Sequence, residues 1–155
     1  ANFLFIFFSI ALSFLSPTTK NIEKAFLQNE AKTLYYLFSS ESHINISLPE
    51  PISYSDQLSP QQAYFLFQQI FQAFTTFEFY SSSEFPLFPD KQNFILRARW
   101  SFKNNKNNNQ YVFRIFFYLL NEKSITGSSS SLRTDKRAKK IQNIWKITEI
   151  KAEQL

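Results

Sequence analysis

The chain contains no cysteine, one histidine and one glycine in 155 residues. Without cysteine there can be no catalytic thiol, disulfide, zinc knuckle or thiolate-held iron–sulfur cluster, and no lipid anchor on a modified cysteine. Gly127 alone cannot build a Walker A loop or a G-x-G-x-x-G turn, since both need at least two glycines to bring backbone amides against phosphate. His43 is the one imidazole available to a catalytic triad or a metal centre. These absences remove many enzyme classes, and the chain is expected to use no cofactor and no metal.

Apolar residues make up 44% of the chain and aromatics 19%, including 20 Phe, so there is ample surface to bury and global disorder is not expected. The net charge is +5. Residues 124–143, "SITGSSSSLRTDKRAKKIQN", hold Arg133, Lys136, Arg137, Lys139 and Lys140 against Asp135, so most of the excess belongs to one Ser-rich segment. Such a run reads as a solvated insertion. Near an anionic membrane each basic residue would add about 1 kcal/mol of attraction. The near-neutral remainder argues against nucleic acid as a partner.

Thirteen nearly unbroken apolar residues, Phe3 to Leu15, open the chain. As a helix they would reach about 20 Å, short of the about 20 residues that a membrane span requires. Two readings lead, ahead of a helix buried in the core. One is a trimmed secretory signal, with Ala11, Ser13 and Ser16 near its cleavage site. The other is a retained anchor or assembly helix built from Phe3, Leu4, Phe5, Ile6, Phe7, Phe8, Ile10, Leu12, Phe14 and Leu15, similar in position to the apolar start of type IV pilins, though Phe5 stands where most bacterial pilins have Glu. Both imply export to a periplasmic, membrane-anchored or extracellular location in a bacterial envelope. Residues 17–155 then form one domain, interrupted by the insertion at 124–143.

Pro17 ends the apolar run, and Thr18 or Thr19 can cap a helix. Apolar spacing predicts helices over 19–28 and 30–38. Ile44, Ile46 and Leu48 alternate with polar residues as in a strand, which Pro49 and Pro51 confine to an edge or bend. "LSPQQAYFLFQQIFQAF" carries the clearest local signal. Ser59 is the N-cap, Pro60 the first helical residue and Gln62 the partner of a capping box, with a core-facing stripe at Ala63, Leu66, Phe67, Ile70, Phe71 and Phe74. "TFEFY" predicts a strand with Phe77 and Phe79 on one face. In "NFILRARWSF", Phe94, Leu96, Ala98, Trp100 and Phe102 share one face, and Ile95, Arg97, Arg99 and Ser101 the other. "KNNKNNNQ" is a hairpin loop. "YVFRIFFYLL" is apolar on both faces, as in a central strand, and "IWKITEIKA" closes the sheet.

In this order of elements, "IEKAFLQNEAKTLYYLF", "SPQQAYFLFQQIFQAF", residues 94–120 and "WKITEIKAE" resemble a nuclear-transport-factor-2-like domain, in particular small exported bacterial members with no assigned function. The resemblance implies an α+β fold: a curved antiparallel sheet wrapping about three helices into a cone, here preceded by an N-terminal apolar helix. It also implies a pocket between sheet and helices, where the superfamily's enzymes, ketosteroid isomerase and scytalone dehydratase relatives among them, place an Asp or His for proton transfer. The matching core-facing positions here carry Phe, Leu, Ala, Trp and Ile, so the cone is expected to be plugged and no catalytic residue is assigned. His43 and Asp56 flank the first strand pair and could be brought together, although a strand-end His and a turn Asp are ordinary solvated groups. Tyr35 and Tyr36 read as rim residues or as a polar handle for a hydrophobic ligand.

The other sheet face offers more. Arg97, Arg99, Arg114, Phe116 and Tyr118 are expected there together with Ile95, Val112, Glu149 and Lys151. That face is a solvated surface with cross-strand ion pairs, a homo-oligomer interface of aromatic anchors and Arg, or a single-stranded nucleic-acid platform. Superfamily resemblance favours dimerisation through this face. The expectation is a non-catalytic association module, with itself or other envelope proteins as partners and residues 3–15 as a membrane contact. A filament or envelope-complex subunit, and a pocket enzyme or small hydrophobic ligand binder, are the competing readings.

Overall fold

The computed structural model describes residues 17–82, 93–125 and 141–155. The anchor residues Phe3 to Leu15 and the basic run from Arg133 to Lys140 lie outside the described residues. Among the described residues no helix is long and apolar enough to cross a membrane.

Helix α1 is described over residues 17–27 and α2 over Ala31–Leu37, close to the spacing-based limits. Between them Asn29 takes a left-handed conformation (φ 51°), which an Asn tolerates better than most residues. Strands β1 (Ile44–Leu48) and β2 (Tyr54–Leu58) form a hairpin across a turn that contains a cis Glu50–Pro51 bond. Helix α3 (Pro60–Ala73) starts as its sequence dictates: the Ser59 hydroxyl accepts the Gln62 N–H, and the Gln62 side chain accepts the Ser59 N–H. Ala63, Phe67, Ile70 and Phe71 are its buried stripe.

Strands β3 (Phe74–Ser81), β4 (Asn93–Asn104), β5 (Gln110–Ile125) and β6 (Ile141–Gln154) complete a six-stranded sheet ordered β2-β1-β6-β5-β4-β3. The loop 105–109 joins β4 to β5 as expected, and β5 is central. The sheet is mixed rather than wholly antiparallel, because β1 pairs in parallel with β6 through Asn45↔Glu149, Ile46↔Ile150 and Ser47↔Lys151. So "IWKITEIKA" lies inside the sheet, not at its margin. Strands β5 and β6 also run into the Ser-rich segment from both ends, pairing as far as Ile125↔Ile141.

One face reading changes. A bulge between Thr76 and Glu78 shifts the β3 register. An inserted residue reverses the side-chain alternation beyond it. Phe77 is therefore 51% exposed while Phe79 is 5% exposed, so they do not share a face.

The core lies between the sheet's inner face and the helices. Phe26 of α1 is fully buried at its centre, with ring centroids 4.5 Å from Phe79, 5.0 Å from Trp100, 5.4 Å from Phe71, 5.6 Å from Phe117 and 6.0 Å from Phe67. Most of these contacts are edge-on, the arrangement that matches the positive ring edge to the negative ring face.

Candidate functional site

Aromatic and aliphatic side chains fill the described part of the inner face. Leu96, Ala98, Trp100 and Phe102 of β4 and Phe113, Ile115, Phe117 and Leu119 of β5 are buried there beneath the helices. The buried polar side chains among the described residues are Ser39, Thr76 and Ser101, none of them titratable near neutrality. Thr76 has a structural task, since its hydroxyl accepts the Trp100 indole N–H at 2.8 Å. The Ser39 hydroxyl donates to Glu122, and its N–H donates to the Ile147 carbonyl at 2.9 Å, fastening the α2–β1 connection to β5 and β6. No group of three or more metal-ligating side chains occurs among the described residues.

His43 and Asp56 are both exposed. Ile44 pairs with Leu58 and Ile46 with Asp56, so His43 sits at the strand end, three register positions from Asp56. Asp56 instead accepts the neighbouring Gln57 N–H at 2.7 Å. Burial, with a smaller contribution from the Asp56 carboxylate, raises the Tyr54 phenol above its ordinary value of 10.0.

The outer face gathers the residues expected to share it. Antiparallel register places Arg97 opposite Phe116, Arg99 opposite Arg114 and Ile95 opposite Tyr118. From β6, Glu149 stands opposite Tyr118, Lys151 opposite Phe116 and Glu153 opposite Arg114. From β3, Tyr80 stands opposite Arg99. Phe116 and Tyr118 are half-buried, Ile95 is 43% exposed and Tyr80 49% exposed. On this face Arg114 pairs with Glu153 at 2.9 Å and Arg99 with Glu78 at 3.6 Å. Ser101, expected on the open face, is on it but covered, its hydroxyl 3.4 Å from Glu78. The Arg residues sit on β4 and β5 and the acids on β6 and β3, with aromatics between them on β5. This order gives the face both charge signs and an apolar middle.

A second feature, on the helix side, was only half visible in the sequence. Tyr35 packs on the core while Tyr36 is 61% exposed. Their rings join Tyr64 and Phe65 of α3 in a chain of contacts with centroids 5.4–5.9 Å apart. With Lys32 and Gln61 they line an open groove of about 370 Å³ between α2 and α3. Tyr35 and Tyr36 stand out in the sequence as a pair. Tyr64 and Phe65 are camouflaged by their place next to the buried stripe of α3.

Neither a protein-family model nor a curated protein matches the chain. Solved structures do. A ketosteroid isomerase-like protein from Erwinia carotovora atroseptica SCRI1043 has a TM-score of 0.62 at 11% identity, over 93% of this chain and 95% of that one. An NTF2-like protein of unknown function in nutrient uptake from Rhodospirillum rubrum ATCC 11170 has 0.57 at 9% identity, over 91% and 98%. A protein from Exiguobacterium sibiricum 255-15, provisionally described as a Ca/calmodulin-dependent kinase II association domain, has 0.55 at 9% identity, over 94% and 93%. At these identities the likeness is one of fold: a curved sheet wrapped around three helices, nuclear-transport-factor-2-like.

Proposed function

We propose that this chain of nuclear-transport-factor-2-like fold is a non-catalytic association module that binds a second copy of itself through the outer face of β4, β5 and β6. The observation that carries the reading is the contrast between the two sheet faces. The inner face, where an enzyme of this fold would need a polar pocket, is filled by aromatic rings and holds no buried titratable group among the described residues. The outer face leaves Phe116, Tyr118, Ile95 and Tyr80 partly open among Arg97, Arg99 and Arg114. Aromatics and Arg are the residues that dominate interface energetics. With Glu149 and Glu153 on β6 and Arg97 and Arg99 on β4, a twofold axis along β5 would set these acids opposite those Arg residues of the second copy, the self-complementarity a homodimer interface requires. The apolar run Phe3 to Leu15 supports the second part of the proposal, that the module is exported and tethered or assembled through its N-terminal segment.

Sedimentation of the full chain in detergent-free buffer tests this. A concentration-dependent dimer that dissociates on Phe116→Glu, with the circular dichroism spectrum unchanged, is expected. A wild-type chain that stays monomeric up to millimolar concentration overturns the face interface. Particles far larger than a dimer that survive Phe116→Glu would point instead to a filament or envelope-complex subunit. N-terminal sequencing and the mass of the native protein decide whether Phe3 to Leu15 is a working part. The groove lined by Tyr36, Tyr64 and Phe65 favours a second reading, a binder of small hydrophobic ligands. Quenching of tyrosine fluorescence by such ligands, lost in Tyr64→Ala, is its test.

A further inference from the structure

The sheet has two edges, β2 and β3, and they are finished differently. An exposed edge offers a row of unused N–H and C=O groups to any extended chain, including another copy of the same strand. Along β3 the outward amides follow from the register. Ser82 donates its N–H inward to the Arg97 carbonyl at 2.8 Å, so Ser81 and Phe79 point outward, and across the bulge Thr76 and Phe74 do as well.

Three of these four outward amides are met by the helices. The Phe74 N–H donates to the Ile70 carbonyl at the end of α3. The Thr76 N–H donates to Asn29 Oδ1 at 3.3 Å, just beyond α1. The Ser81 N–H and hydroxyl donate to Glu23 Oε1 of α1 at 3.3 and 2.8 Å. Between them the Phe79 ring stacks on Phe26 of α1 at 4.5 Å on the sheet's inner face, which brings α1 alongside the strand. Among the described residues no helix side chain is hydrogen-bonded to edge β2. Its Gln57 N–H is taken by its own neighbour Asp56, and Ser55, Asp56 and Gln57 are exposed.

We propose that α1 is a guard on the β3 edge: Glu23 and Asn29 occupy the outward amides of Ser81 and Thr76, so that β3 of a second copy can pair there only when those acceptors are withdrawn. At 3.3 Å the two backbone bonds are long and individually weak. Their effect lies in occupancy rather than in stabilisation. Two β3 edges related by a twofold axis would pair antiparallel, and this association is separate from the sheet-face interface proposed above.

The test replaces both acceptors, as Glu23→Ala with Asn29→Gly. Glycine is chosen at 29 because alanine would add strain at φ 51° while glycine accepts it. Made in the full chain carrying Phe116→Glu, the double variant reports on edge pairing without face association. Amide exchange at Thr76 and Ser81 should become faster, by less than the roughly tenfold that losing one ordinary hydrogen bond gives. New oligomers should appear in sedimentation velocity, absent from Glu23→Gln, which keeps an acceptor. A Leu34→Ala variant serves as a destabilised control, because it weakens α2 without touching the edge. Unchanged exchange at both amides overturns the guard. So does oligomerisation that the Leu34→Ala control reproduces at matched stability.

Discussion

Phe116 and Phe117 are neighbours on one strand and are chemically the same, yet they belong to different parts of the molecule. Phe117 is fully buried against Phe26, while Phe116 is half-buried on the outer face opposite Arg97 and Lys151. The same division runs through β4, where Trp100 is buried and Arg99 is open. A sheet face is thus a unit: one side of these strands holds the fold together and the other lies open. Composition cannot separate the two, since both sides are rich in aromatics. The pleat and the register do.

The largest effect should come from setting these neighbours against each other. Phe117→Ala should cost about 3–5 kcal/mol in urea unfolding, through lost burial and the cavity left behind. Phe116→Ala should cost less than about 1 kcal/mol of monomer stability while weakening self-association. Equal losses would dissolve the contrast. Next comes Thr76→Val, which keeps the shape but strands the Trp100 N–H in the core; about 1–3 kcal/mol is expected from the same unfolding curves. On the outer face Arg114→Ala should cost only about 0.2–1 kcal/mol, because its pair with Glu153 is exposed, and added salt should shrink that figure further. A salt-insensitive loss would mean that the face is covered. The smallest effect concerns pH. Tyr54 is raised in the folded state, so its contribution is present below the ordinary value near 10.0 and is lost as pH rises through the higher folded value. Between those two values thermal melts should therefore fall more steeply with pH for wild type than for Tyr54→Phe.

Much of this was legible in the residues. The capping box at Ser59 and Gln62 fixed where α3 begins. Strict alternation from Phe94 to Phe102 identified the buried face of β4, and with it the outer positions of Arg97 and Arg99. The misplacement of Phe77 has a local cause, since alternation assumes an unbroken ladder and the bulge at Thr76 breaks it. The parallel pairing of β1 with β6 left no local trace, because pairing of distant strands is decided by the assembled core rather than by either strand's pattern. The α2–α3 groove escaped notice for a related reason: Tyr64 and Phe65 gain their meaning from Tyr35 and Tyr36 on another helix.

The β1–β6 ladder also sets a timetable. Asn45 meets Glu149 and Ser47 meets Lys151, so the sheet cannot join its two parts until the chain has been made that far. Before then β1 and β2 are an isolated hairpin, which is marginal in water. Contacts of such long sequence separation slow folding, since the intervening loop must close before any of them forms. The β1–β2 hairpin therefore cannot join the sheet before β6 is in place.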